Sequence, residues 1–313
     1  MIPKHGGATT PSAALAWIAR TRESRSEVMA RGRRRARFSG GFVRQGGIRL
    51  LRRRFHHIAQ AIRHRRLIRN WAPIVVSYTG LRNLHDGATI ELASGLRFAI
   101  AHSSDAWTIL QVIGQNYYRV RESEPWRTVI DIGANIGTFA VLAARAAPGA
   151  RVLCFEPAPD AAALLLRNVT MNGVEGRVVV EERAVAGTPG RVDLVRTTQS
   201  SMRRLGPAAS AGDNTISVEA VTLGEIFEKH AVDRCDFLKI DCEGAEFELL
   251  RACPSSVLDR VDRIALEFHE WQPGDTAADL HRLLSSQGFR VEHVHDTIDP
   301  DVGYLFADRN TVS

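Results

Sequence analysis

No run of 18 or more apolar residues occurs in this 313-residue chain, so no segment reads as a transmembrane helix. The N-terminus has no continuous apolar stretch followed by a small-residue cleavage site, which argues against a secretory leader. Cysteine is scarce: Cys154, Cys235, Cys242 and Cys253 form no C-x-x-C pair and no short-range framework. Most fall in predicted strands or helices, where a free thiol packs as a small hydrophobe, and a reducing cytoplasm is the expected location. Acidic residues are nearly missing from the first seventy positions. There Lys4 and 17 arginines face only Glu23 and Glu27, a formal +16. Residues 71–313 hold 23 basic and 33 acidic groups, or −10. The high isoelectric point therefore belongs to the arm, and the acidic remainder is a poor nucleic-acid platform.

The arm, 1–70, carries its arginines in clusters such as Arg33-Arg34-Arg35 and Arg52-Arg53-Arg54. Phe55, Ile58, Ala61 and Ile62 recur at helical spacing. One reading is a basic amphipathic helix visiting an anionic lipid surface, at the inner membrane face, or RNA. The other is a solvated extension.

The densest signal is Val129-Ile-Asp-Ile-Gly-Ala-Asn-Ile-Gly-Thr-Phe-Ala140. Val129, Ile130 and Ile132 supply a buried strand, and Gly133 and Gly137 allow a tight turn into a helix. Such a turn is expected to offer free backbone N–H groups and a small-residue floor to a ligand. The dinucleotide fingerprint G-x-G-x-x-G is absent, and no Lys-Ser/Thr follows, which excludes a P-loop. Asp131 before the first glycine would repel a pyrophosphate but suits a cationic or zwitterionic ligand. The next strand, 151–156, ends at Glu156 and is stopped by Pro157. Its carboxylate, 25 positions after Asp131, can take both hydroxyls of a ribose in a shared crevice.

The first stretch resembles motif I of S-adenosylmethionine-dependent methyltransferases, with Asn135 where many carry a middle glycine. Further on, Lys239-Ile-Asp241-Cys-Glu243-Gly244 is similar to the K-I-D-x-E-G motif of the FkbM family of methyltransferases. The D-I-G-A-N-I-G and F-E-P segments, Asn168 and Asn172 on the following helix, and Glu267-Phe-His269 extend the likeness. It covers about residues 71 to 310. The resemblance implies a class I methyltransferase fold, Rossmann-like, with a mostly parallel sheet and an antiparallel terminal strand. It also implies S-adenosyl-L-methionine as donor, and usually O-methylation of a hydroxyl on a sugar, polyketide or glycolipid. Donor contacts then fall on Asp131, Gly133, Ala134, Asn135, Gly137, Glu156, Pro157, Ala184 and Asp241.

The organisation is an arm (1–70), a small cap (71–127) and a catalytic domain (128–313). In the cap, a hairpin is expected over 88–100, turning near Ser94-Gly95, then a helix over 106–115 capped by Asp105. Tyr117 and Tyr118 either pack the cap on the sheet or reach the donor pocket. Strands are expected at 151–156, 177–185, 236–241, 262–268, 289–295 and 303–308. Helices are expected at 136–147, 159–171, 222–230, 244–252 and 276–287, with an extra strand pair at 191–196 and 215–221 and a loop at 199–214. Strand–helix alternation favours a doubly wound parallel sheet.

Methyl transfer to a hydroxyl needs the oxygen held in line with the methyl carbon and a base within about 3 Å. Asp241 and Glu243, at alternate positions of a strand end, could share one face. One would hold the acceptor; the other would orient the donor's cationic end or a base. His269, after Glu267 at the next strand end, is the other base candidate, since an unperturbed histidine titrates near neutrality. Asp241, Glu243, Glu267 and His269 could alternatively bind a divalent cation, although D-x-E spacing alone is weak and the resemblance calls for no metal. An RNA methyltransferase gripping nucleic acid with the arm is the competing class. Against it, no N-P-P-Y-like base clamp occurs. A noncatalytic donor-binding module is disfavoured by the carboxylates and histidine on the acceptor side.

Overall fold

The computed structural model describes residues 58–79, 88–196, 204–205, 214–296 and 299–309. The arm up to residue 57 and most of the expected 199–214 loop lie outside them. The chain runs α1 (Trp71–Thr79), β1 (Ala88–Glu91), β2 (Arg97–Ile100), α2 (Ser103–Ile109), β3 (Thr128–Ile132), α3 (Thr138–Ala146), β4 (Arg151–Phe155) and α4 (Pro159–Met171). It continues through β5 (Val178–Glu181), β6 (Ala184–Val185), β7 (Gly190–Arg196), β8 (Arg204–Leu205), β9 (Asn214–Val221), α5 (Leu223–Lys229) and β10 (Phe237–Ile240). The last elements are α6 (Glu246–Ala252), α7 (Ser255–Leu258), β11 (Arg263–His269), α8 (Ala277–Ser286), β12 (Phe289–His295) and β13 (Val302–Arg309).

Seven strands form the central sheet in the order β12-β13-β11-β10-β3-β4-β5. Pairing is parallel from β11 to β5, and β13 inserts antiparallel between β11 and β12. Alternation along the strands splits the core between two faces. Val129, Val152, Phe237 and Ala265 pack with α3, α4 and the cap; Ile130, Leu153, Leu238 and Ile264 pack with α5 to α8. The strand order reverses between β3 and β10, so their carboxyl ends open one crevice at the switch point.

Several expectations are refined. The 177–185 strand is two strands, and Ala184 begins β6 in a separate four-stranded sheet ordered β6-β9-β7-β8. Asp105 is not the N-cap of α2 but stands in its first turn, where its carboxylate accepts from the Ala101 and His102 N–H groups, both at 2.9 Å. The helix ends at Ile109 and runs into a wider π turn over Leu110–Gly114. Packing also reaches into residues 58–70, where Ala61 and Ile68 are buried in the cap's core.

The hairpin β1–β2 is tied to α4 by Asn168 within that helix and Asn172 at its C-cap. Asn168 accepts from Ala99 N–H at 2.6 Å and donates to the carbonyls of Ala99 (3.1 Å) and Ile136 (2.8 Å). Asn172 accepts from Arg97 N–H at 3.0 Å and donates to its carbonyl at 2.6 Å. Their amides act as a substitute strand along β2, leaving no orphaned edge there.

Candidate active site

The turn after β3 is held by its own chain. Gly133 and Ala134 N–H both donate to the Phe155 carbonyl (3.0 and 3.1 Å), Gly137 N–H donates to Ala134 (2.8 Å), and Asn135 N–H donates to Glu156 Oε2 (2.8 Å). Four of the N–H groups of this turn, those of Gly133, Ala134, Asn135 and Gly137, are therefore already engaged. The glycines answer packing and a left-handed backbone. A Cβ on Gly133 would overlap the Asp241 carbonyl oxygen, and one on Gly137 would come 2.9 Å from Leu165 Cγ. Both have positive φ, +70° and +83°.

What the turn does offer is acceptors. Asp131 is fully buried; its Oδ2, like Asn135 Oδ1, has no hydrogen-bond partner. Glu156 is fixed by Asn135 and by Ala158 N–H at 2.9 Å, and carboxylate oxygens each accept more than one bond. Pro157 is half-buried beside it. Ala184 pairs with Ala220 in the second sheet and shares an apolar cluster with Ala158 and Ala161, just after Glu156 and Pro157.

Lys239, given no role by the sequence beyond its place in the K-I-D-x-E-G likeness, joins the strand ends. It stands directly across from Asp131 in the β3–β10 register, with Nζ 3.1 Å from Asp131 Oδ1 and 3.7 Å from Asp241 Oδ2. It also donates to the carbonyls of Gly133 (2.6 Å) and Ile132 (3.2 Å). Burial disfavours its charge, but Asp131 and Asp241 outweigh burial and raise it above the usual lysine value. Burial raises Asp131 while Lys239 opposes. A lysine within the buried strand Phe-Leu-Lys-Ile was the available clue, because a buried cation requires partners.

Asp241 and Glu243 come together by a different route from strand alternation. β10 ends at Ile240; Glu243 and Gly244 then take left-handed φ, +53° and +99°, and fold the segment back. Asp241 Oδ2 accepts from the Tyr118 hydroxyl at 3.1 Å. Tyr118 also packs edge-on against Phe139, so it both joins the cap to the sheet and enters the site. Tyr117 stacks edge-on with Tyr304, which sits opposite Glu267.

His269, at the end of β11, is nearly enclosed. Its Nδ1 meets Glu246 Oε1 at 3.1 Å; its Nε2 lies 3.7 Å from Glu243 and 4.0 Å from Glu267. Glu246, likewise given no role by the sequence, is fully buried and accepts from Cys242 and Gly244 N–H, pinning the turn to the histidine. Burial would lower His269, but Glu246, Glu243 and Glu267 together lift it to about 10. These carboxylates favour its imidazolium form, where an unperturbed histidine would titrate near neutrality. Burial pushes Glu243 well above the carboxylate range, with His269 opposing. Burial and then Asp241 raise Glu267 to about 8. One ligand atom each from Asp241, Glu243 and His269 falls within 4.8 Å of the others, a spacing a cation could also use.

A cavity of about 770 Å³ lined by Glu181, Arg183, Glu219, Lys229 and His230 lies by α5, among side chains that pair with one another and away from these residues.

The methyltransferase FkbM domain matches residues 131–291. The chain belongs to the FkbM methyltransferase family. It is 30% identical over 203 residues to methyltransferase 1 of Beauveria bassiana (strain ARSEF 2860), covering 58% of this chain and 81% of that one. It is 25% identical to the 31-O-demethyl-FK506 methyltransferase FkbM of Streptomyces tacrolimicus, over 67% of this chain and 92% of the relative. It is also 25% identical to the hexuronic acid methyltransferase AglP of Haloferax volcanii, over 63% and 78%. The methyl donor of this FkbM-family enzyme is S-adenosylmethionine. The residues present fit it, since the unpartnered buried oxygens of Asp131 and Asn135 suit its cationic groups and Glu156 suits vicinal hydroxyls. No helix among the described residues is long and apolar enough to cross a membrane.

Proposed function

We propose that the enzyme O-methylates a hydroxyl of a saccharide, polyketide or glycolipid, with donor and acceptor held on opposite sides of the β3–β10 switch point. The donor, when bound, supplies an electrophilic methyl group on a sulfonium. Asp131, Gly133, Ala134, Asn135, Gly137, Glu156, Pro157 and Ala184 form its side, with Asp241 between the two. Asp241, Glu243 and His269 form the acceptor side. The observation that carries this reading is the convergence of three ionisable groups, from two neighbouring strand ends, beside a buried lysine–aspartate pair.

The chemistry follows from the charge balance. The His269 imidazolium fixes Glu243 and Glu246, while Asp241, Glu243 and Glu267 present oxygens to a hydroxyl. A carboxylate whose proton affinity has been raised toward neutrality is a stronger base than an ordinary surface one. The proton lost by the acceptor passes to this cluster, which titrates as a unit.

Transfer of labelled methyl from S-adenosylmethionine to a panel of sugar and polyketide alcohols, with chelator present, tests this reading. Product is expected, with kcat/KM rising with pH through about 8 and the limb lost in Glu267→Gln. A limb near 10 lost in His269→Ala would make the histidine the base. Activity abolished by chelator and restored by Mg²⁺ would replace the proton-transfer account with a metal-assisted one.

The +16 of residues 1–70 supports peripheral contact with an anionic lipid surface. Full-length chain should co-sediment with phosphatidylserine vesicles at low salt and be released at high salt. Binding to RNA in preference to vesicles would favour the nucleic-acid reading of the arm.

A further inference from the structure

Trp271 follows the last strand of the acceptor side and has no part in the chemistry above. Among the Phe, Trp and Tyr residues whose burial is described, it is the exposed one, at 41%. Such a position costs hydrophobic stabilisation unless something covers the ring. Nor is the ring loosely placed. Trp271 N–H donates to the His269 carbonyl at 2.9 Å, and its ring lies 4.4 Å from the His269 ring at 49°. Its six-membered ring covers Gly244, where a Cβ would approach Cε3 to 3.2 Å. One side of the indole is therefore held against the turn that carries Glu243, while much of the residue remains open to solvent.

We propose that Trp271 is the platform for the acceptor, and that the acceptor is an uncharged sugar ring stacked on the indole with a hydroxyl directed to the Asp241–Glu243–His269 cluster. This rests on the acceptor-side reading given above. An aromatic face carries negative quadrupole charge, so it attracts the polarised C–H groups lining one face of a pyranose. The half-buried carboxylates of Asp241, Glu243 and Glu267 beside it are acceptors without protons to give when ionised. Several neighbouring hydroxyls satisfy them at once. A largely apolar polyketide surface would desolvate the same carboxylates without replacing their bonds, which is costly. A uronic acid is disfavoured for the opposite reason. Among the described residues, the cations within ion-pair reach of these carboxylates are Lys239 and His269. Both are buried and already matched, by Asp131 and Asp241 and by Glu246 and Glu243. A further carboxylate would find no unmatched cation among them.

The probes are neutral gluco-, galacto- and rhamno-configured methyl glycosides, methyl glucuronoside, and a macrolide alcohol, each with S-adenosylhomocysteine present. Saturation-transfer NMR on the full chain should show contact with ring protons of at least one neutral glycoside. Its apparent affinity should fall about tenfold in Trp271→Ala and largely return in Trp271→Phe. S-adenosylhomocysteine affinity, by calorimetry, should be the same in all three proteins, which also shows that the variants are folded. Equal or tighter binding of the glucuronoside would overturn the proposal, as would preference for the macrolide, no binding of any neutral glycoside, or unchanged binding in Trp271→Ala. The acceptor-side reading fails separately, by full turnover in Asp241→Asn whatever Trp271 does.

Discussion

The two sides of the switch-point crevice are built on opposite principles. On the β3–β4 side, the turn closes on itself: Gly133, Ala134 and Asn135 spend their N–H groups on Phe155 and Glu156. That side is pre-organised, and its unpartnered atoms are few and specific. On the β10–β11 side, charge is crowded: three glutamates surround one histidine, two of them lifted above the usual carboxylate range, and Glu243 sits in a left-handed conformation. Rigid backbone suits a donor that is the same in every turnover. Crowded titratable groups suit a step in which a proton must move. Strain and unbalanced charge at a site are tolerated when the surrounding structure fixes them, and here Glu246 and Lys239 do so.

The largest expected difference between the sides is in turnover. Asp241→Asn, which removes an acceptor-side carboxylate, and His269→Ala, which frees Glu243 and Glu246 from their cation, should each lower kcat by about 10²–10⁴, the usual range when acid–base assistance is lost. Single-turnover kinetics at saturating donor measure it. Wild-type turnover in both would erase the distinction between the halves.

Next in size is the stability held by the buried ion pair. Glu246→Gln leaves the His269 cation without its partner and should cost on the order of 3 kcal/mol in urea unfolding. The sign of the pH effect follows from the raised folded value. His269 contributes fully below its unfolded value of 6.5, and the contribution is lost as pH rises through about 10. Wild type should therefore lose stability between these limits, while His269→Ala should lose less over the same range. Parallel curves would mean that the pair is not charged in the folded protein.

The same contrast explains what could be read in advance. The donor side was legible because its signals are local: hydrophobic residues leading to Gly133, an acid at each strand end, Pro157 after Glu156. The parallel, doubly wound character of the sheet followed from strand–helix alternation. The acceptor side depends on contacts between distant segments, which no spacing encodes. Tyr118 reaches Asp241 across 123 positions, and Glu246 reaches His269 across 23. The histidine was found by position, but the three carboxylates that raise its proton affinity belong to no single motif. Asn168 and Asn172 were noticed only through the family likeness; their work is to bond β2. The single strand expected over 177–185 breaks into two, and Ala184 begins β6 in the second sheet.

The division of labour is tested most directly by calorimetric titration of S-adenosylhomocysteine into Glu156→Ala and His269→Ala side by side. Loss of charge-assisted bonds to the ribose should cost about 1.5–3 kcal/mol, so Glu156→Ala should bind about 10- to 150-fold more weakly than wild type. His269→Ala should stay within about threefold of wild type, less than 1 kcal/mol. Unchanged affinity in Glu156→Ala, or an equal loss in both variants, would contradict the account.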